Sequence, residues 1–162
     1  MEKTVASPAL TALRGKALAC FQCGECTGSC PLFMVAPQKY NPRRILWKLA
    51  FSGEKPFDVP WLCLTCYECH ERCPANVSIT ELMVELKNEA SRKGEIPVTA
   101  TEVAERLLHT GRAVLVTKSI TRTREELGLK PIPDGSNQEV IELLEAVGFK
   151  KMVDGWKHER RK

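Results

Sequence analysis

Cys20-Phe21-Gln22-Cys23-Gly24-Glu25-Cys26-Thr27-Gly28-Ser29-Cys30-Pro31 and Cys63-Leu64-Thr65-Cys66-Tyr67-Glu68-Cys69-His70-Glu71-Arg72-Cys73-Pro74 are two copies of one pattern. Each copy sets three cysteines at successive three-residue steps. A fourth cysteine follows after three intervening residues, and a proline stands directly behind it. Every cysteine of the second copy lies 43 positions after its counterpart, as Cys63 does after Cys20. All 8 cysteines of the chain fall inside these two stretches.

Three chemistries use cysteine at this density. Disulfides suit exported chains, and they are rare in a reducing cytosol. The first residues carry Glu2 and Lys3 and no apolar core, so no signal peptide is expected and a cytoplasmic location follows. Zinc takes four ligands, which two Cys-x-x-Cys pairs can supply. It has no need of a third closely stepped cysteine or of the following proline. A 4Fe–4S cube does: three nearby thiolates wrap three corners, and a cysteine more remote in sequence takes the fourth. Proline after that cysteine ends the turn and withholds a backbone donor. The pattern is therefore read as two 4Fe–4S sites. In two-cluster ferredoxins the fourth cysteine serves the other cluster. On that rule Cys20, Cys23, Cys26 and Cys73 hold cluster 1, and Cys63, Cys66, Cys69 and Cys30 hold cluster 2.

Composition limits the remaining choices. The 162 residues are 43% hydrophobic and 27% charged, enough for a modest core and too polar for a membrane protein. The longest uncharged run, Cys26 to Gln38, is broken by Gly28, Pro31 and Pro37 and falls short of the ~20 apolar residues a span needs. No transmembrane segment is expected. The formal charge is +4. Four thiolates on an oxidised cube carry about −2 in total, so two loaded sites bring the protein near neutrality. The basic excess is read as compensation for the metal sites, and no nucleic-acid partner is expected. The tail from Lys157 to Lys162 is read as a solvated terminus.

Around the two motifs the periodicity is helical. Ser7-Pro8 reads as a cap and first residue, with Leu10, Leu13 and Ala17 on one face to about Leu18. Asn41-Pro42 repeats the signal, followed by Ile45, Leu46, Leu49 and Ala50, with Gly53 as a stop. Ser78-Ile79-Thr80-Glu81 has the form of a capping box. It opens a helix with Ile79, Leu82, Met83, Leu86 and Ala90 inward, ending near Gly94. Helices thus flank both motifs. Downstream, Thr99-x-x-Glu102 opens a helix bearing Val103, Leu107 and Leu108 that stops at Gly111. Thr123-x-x-Glu126 opens a short turn stopping at Gly128. Ser136-x-x-Glu139 opens a helix with Val140, Leu143, Leu144 and Val147 inward and Gly148 as its stop. Ala113 to Val116 reads as a short strand or buried extended piece, and Leu129 to Gly135 as a loop. The fold class is mainly α: a helical ferredoxin with two 4Fe–4S clusters over residues 1–95, and a cysteine-free helical extension over 96–162 that docks to partners.

Some residues near the motifs need a reading of their own. Gly24 and Gly28 let the backbone close around a cube. His70 sits among full cysteine ligation and is read as solvent-facing or hydrogen-bonding. Phe21, Trp61 and Tyr67 are read as apolar shielding. Arg43 and Arg44 are read as the wet side of their helix, and His109 and His158 carry no assignment. No nucleophile–base arrangement, phosphate loop or dinucleotide fingerprint is present. No catalytic residue is assigned. Fully ligated cubes relay single electrons, so the chain is expected to work between two other redox partners.

Phe21 to Pro31 resembles the first motif of the heterodisulfide reductase iron–sulfur subunit HdrC, and Trp61 to Pro74 resembles the second, in the same order. The resemblance runs from about Leu18 to Lys93. It is looser beyond, where Glu126-Leu127-Gly128-Leu129-Lys130-Pro131 and the closing helix are similar in kind. It implies a two-cluster helical ferredoxin fold with the eight cysteines as ligands. It also implies a hetero-oligomeric oxidoreductase complex of methanogenesis. There the HdrC chain takes electrons from a partner that bears FAD and iron–sulfur clusters. It passes them to a second partner, which reduces the coenzyme M–coenzyme B disulfide. Related chains serve sulfur-oxidising, methylene-tetrahydrofolate reductase and quinone-linked complexes, and similar motifs occur in succinate dehydrogenase and glycolate oxidase. A free ferredoxin-type carrier is the alternative of a different class.

Overall fold

The computed structural model describes residues 8–52, 58–133 and 135–159. Ser7, Gly53, the Leu10 and Leu13 side chains, and the side chains of the basic tail, His158 among them, lie outside the described residues. The chain divides into two compact units, Met1–Glu95 and Ile96–Lys162. Among the described residues there is no β-strand, and the fold is mainly α.

The first unit holds α1 (Pro8–Ala17), α2 (Glu25–Gly28), α3 (Pro31–Val35), α4 (Pro42–Trp47), α5 (Glu68–Glu71) and α6 (Ile79–Arg92). A π-helical turn, Lys48–Ser52, continues α4, and a 3₁₀ turn, Val59–Leu62, leads into the second motif. α6 is the scaffold. Its Ile79, Leu82, Met83, Leu86 and Ala90 are all buried, as the spacing requires. Burying each large one contributes about 1.5–3 kcal/mol. α1, α5 and the 3₁₀ turn pack on it. α4 begins as expected: the Asn41 side chain accepts a hydrogen bond from the Arg44 amide at 3.1 Å, and Pro42 supplies a first-turn residue with no N–H to satisfy. Ile45, Leu46, Leu49 and Ala50 are buried beneath it.

The capping box at Ser78 does not form. Ser78 makes no side-chain cap bond and sits at φ −72°, ψ 68°. The chain turns too tightly there: the Ile79 amide donates to the Val77 carbonyl at 2.8 Å, and the Val77 amide is taken by Cys73 Sγ at 3.3 Å. The cysteine loop, not the cap, sets the helix entry.

The second unit holds α7 (Val98–Thr110), α8 (Lys118–Glu126), α9 (Gln138–Ala146) and α10 (Phe149–Glu159). α7, α9 and α10 pack together. Ala104, Val153 and Trp156 form the core, with Phe149 edge-on to Trp156 at a ring separation of 6.3 Å. The helix ends fall at Gly111, Gly128 and Gly148, all with positive φ, but the three starts differ from expectation. α7 starts at Val98 because the Pro97 carbonyl accepts the Ala100 and Thr101 amides, leaving Thr99 already helical. Thr117 caps α8 through the Ile120 amide at 3.3 Å, so Thr123 and Glu126 lie in its last turns. Asn137, not Ser136, caps α9; its amide is held by the Thr110 carbonyl at 2.9 Å. Leu143 and Val147, expected inward, are exposed, and so are Val114, Leu115 and Val116, which form no strand.

Candidate iron–sulfur centres

The two cysteine motifs adopt one conformation through their first three cysteines. α2 and α5 are counterparts at the 43-residue offset, and they pack on each other. Ahead of each helix the backbone passes twice through the left-handed region: Gln22 (φ 58°) and Gly24 (φ 88°) in the first copy, Thr65 (φ 51°) and Tyr67 (φ 64°) in the second. This winding turns amides toward sulfur. The Gln22 amide donates to Cys20 Sγ at 3.4 Å, and the Thr65 amide donates to Cys63 Sγ at 3.4 Å. The Gln22 side-chain amide adds a second donor to Cys20 at 3.3 Å. Gly24 plays the part expected of it. Gly28 does not: it is an ordinary helical residue with open space beside it.

After the fourth cysteine the copies diverge. Cys30 leads into α3, whereas Cys73 enters a turn with Asn76 at φ 50°. The result brings residues of different motifs together. Cys20, Cys23 and Cys26 wall one cavity, and Cys73 of the second motif completes its cysteine lining. Cys30 of the first motif lies close enough to interact electrostatically with Cys69, as Cys63 and Cys66 do. Among the described residues no three His, Cys, Asp or Glu side chains gather tightly enough for a single metal ion.

Burial grades the eight cysteines. Cys26, Cys30 and Cys69 are buried, Cys20, Cys63 and Cys73 are half-buried, and Cys23 and Cys66 are exposed. Burial pushes the Cys26 thiol up to about 11, opposed by the Thr27 hydroxyl and reinforced by Cys69, Cys20 and Cys23. Burial also raises Cys69, eased by Thr80 and reinforced by Cys63, Cys66 and Cys30. Each third cysteine thus has a hydroxyl beside it: Thr27 Oγ1 at 4.0 Å from Cys26 and Thr80 Oγ1 at 3.8 Å from Cys69. A metal held by these thiols would have to displace their protons, which would link its loading to pH.

The residues singled out beside the motifs divide. Phe21 lines the first cavity yet stays 71% exposed, and Tyr67 is also exposed, so neither seals a site. Trp61 packs against the core and donates from Nε1 to the Glu95 carbonyl at 3.1 Å. His70 Nδ1 is buried without a partner, with the ring 5.8 Å from Tyr67. His109 is exposed. Arg44 is on the wet side as expected, but Arg43 also lines the Cys20–Cys73 cavity.

Four contributors escape sequence reasoning. Tyr40 is buried, and its hydroxyl lies near Cys63, Cys30 and Cys69; burial and these thiols raise it. It stands just before the Asn41 cap, with buried Ile45 in the turn that follows, and this hydrophobic-staple pattern is the signal that marks it. Thr80, Arg43 and Lys87 carry no such signal. Lys87 Nζ donates to the Cys63 carbonyl at 2.9 Å from across the fold.

The 4Fe-4S dicluster domain family matches residues 16–77. The chain is 40% identical over 134 residues to the C subunit of the ferredoxin:CoB-CoM heterodisulfide reductase of Methanosarcina mazei, covering 80% of this chain and 82% of that one. It is 41% identical over 145 residues to the C subunit of the ferredoxin/F(420)H(2)-dependent CoB-CoM heterodisulfide reductase of Methanosarcina acetivorans, covering 84% and 88%. The second C-type iron-sulfur subunit of the CoB–CoM heterodisulfide reductase of Methanocaldococcus jannaschii is 36% identical over 143 residues, covering 83% and 76%.

Proposed function

Because this chain belongs to the HdrC family of heterodisulfide reductase iron–sulfur subunits, we propose that it relays single electrons between two partners of such a complex. The donor is the flavin- and iron–sulfur-containing subunit, and the acceptor is the subunit that reduces the coenzyme M–coenzyme B disulfide. The chain carries two 4Fe–4S clusters. When bound, these supply one-electron acceptance and release. Cys20, Cys23, Cys26 and Cys73 hold the first, and Cys63, Cys66, Cys69 and Cys30 hold the second. The observation that supports this exchange is the cavity that Cys73 shares with the first-motif triad. Cys23 and Cys66, the exposed ligands, give each cluster a short path to a docked partner.

Residues 96–162 act as the docking part of the chain. They hold no cysteine, and they expose Leu143 on α9, Val147 just after it, and Leu127 and Leu129 beyond α8. No helix among the described residues is long and apolar enough to cross a membrane. A cytoplasmic complex is the setting this reading requires.

Two measurements test it. In the Cys73→Ala chain, EPR should lose the cluster built on Cys20, Cys23 and Cys26 and keep the other. Loss of the cluster on Cys63, Cys66 and Cys69 instead would end the exchanged assignment. Native purification through a tag on this chain should bring down a flavoprotein and a second iron–sulfur protein in fixed ratio. A monomer with no copurifying flavoprotein would favour a free carrier.

A further inference from the structure

Each cysteine loop is gripped from outside its own motif by one cation bonded to a backbone carbonyl. On the first loop, Arg43 Nη1 of α4 donates to the Gln22 carbonyl at 3.4 Å, and the Arg43 side chain lines the cavity walled by Cys20, Cys23, Cys26 and Cys73. Its backbone is tied to the same motif, with the amide donating to Thr27 Oγ1 at 3.3 Å. Thr27 in turn donates to Asn41 Oδ1 at 3.0 Å, so the start of α4 and the first loop are locked together. On the second loop, Lys87 Nζ of α6 donates to the Cys63 carbonyl at 2.9 Å, two residues before the amide that points at Cys63 Sγ. The two cations come from different helices and do not follow the 43-residue repeat. They are devices that the tertiary fold adds to each loop separately.

Reduction of a four-thiolate cube adds one electron to a site that already carries about −2. A nearby fixed cation favours the more negative form, more strongly from half-buried Lys87 than from exposed Arg43. Hydrogen bonds to the ligating sulfurs act in the same direction, and a cation clamped to the loop carbonyl holds those amides in place.

We propose that Arg43 and Lys87 are potential-setting residues, each raising the reduction potential of the one cluster whose loop it grips. Arg43 acts on the cluster of Cys20, Cys23 and Cys26, and Lys87 on the cluster of Cys63, Cys66 and Cys69. Because the two grips are chemically different, they give the chain a separate control on each end of its relay. The proposal rests on each triad holding one cluster, and it is independent of which fourth cysteine completes it. Failure of the exchanged assignment in the Cys73→Ala chain would leave it standing.

The test is a redox titration of the full iron- and sulfide-loaded chain, followed by EPR and visible absorption, with iron and sulfide content measured alongside. Arg43→Gln should lower one midpoint and Lys87→Gln should lower the other. The expected shift is about tenfold in the reduced-to-oxidised ratio at fixed potential, which is about 59 mV for one electron. Midpoints unmoved in both fully loaded variants, or the same midpoint moved by both, would overturn the proposal. Should either Gln variant fail to load, Arg43→Met and Lys87→Met decide by the same titration: one midpoint lowered in each supports the proposal, and unmoved midpoints overturn it.

Discussion

Gly24 and Tyr67 occupy equivalent places in the two cysteine loops, and both hold a left-handed backbone, at φ 88° and 64°. For an L-residue this conformation costs roughly 1–2 kcal/mol. The first loop avoids that cost with glycine, while the second bears it with an exposed tyrosine. Gly24→Ala should therefore lower unfolding stability by about 1–2 kcal/mol with no packing clash, the nearest neighbour of an added Cβ being Arg43 Nη1 at 3.9 Å. Tyr67→Gly should be neutral to stabilising by up to about 1 kcal/mol. Gly111 is a harsher case. It also has positive φ, and a Cβ there would meet the Asn137 carbonyl oxygen at 2.5 Å and its Cβ at 2.8 Å. Gly111→Ala adds overpacking to backbone strain and should cost about 2–4 kcal/mol. Denaturant midpoints of the three variants measured together check this order. Gly111→Ala no worse than Gly24→Ala would mean that α9 gives way freely at Asn137.

Among the elements, α6 is where apolar periodicity translates most directly into stability. Leu86 is fully buried on its inner face, and Val84, two residues earlier and so on the opposite side of the helix, is 39% exposed. Leu86→Ala should cost about 2–5 kcal/mol through lost transfer energy and the cavity left behind. Val84→Ala should stay within about 0.5 kcal/mol. Thermal unfolding of both variants separates them, and similar losses would show that the α6 face is not what holds the first unit. The cap signals were less reliable than the periodicity. A Ser/Thr-x-x-Glu pattern is short, and several nearby residues can serve as the cap. Pro97, Thr117 and Asn137 won the starts of α7, α8 and α9 through local backbone geometry and, for Asn137, a bond to the end of α7. α9 shows the limit of periodicity as well. Leu143 and Val147 lie where the spacing allows an inner face, yet nothing in the chain covers them among the described residues.

On the scale of the whole molecule, the first unit has its cysteines inside its hydrophobic core: Cys26, Cys30 and Cys69 are buried among Tyr40, Leu46, Leu49 and Met83. Metal binding and folding of that unit are then one process. Removing iron with a chelator under reducing conditions should lower the helical circular-dichroism signal, and restoring iron and sulfide should recover it. A metal-free chain of unchanged helicity would mean that the apolar residues alone suffice. The order of residues was enough to establish the cluster chemistry, the helical class and the inner face of α6. Ligand spacing and apolar period are local properties, written in consecutive residues. Which side chains from elsewhere in the chain meet the cysteine loops is decided by the folded chain alone. Arg43, Thr80 and Lys87 reach the cysteine loops across gaps in sequence that no short pattern encodes. The meeting of Cys73 with Cys20, Cys23 and Cys26 is expected from the motif rule, and the fold realises it through the packing of α2 on α5. Such meetings arise when buried faces close on one another, and they follow from how helices pack rather than from how any one of them is spelled.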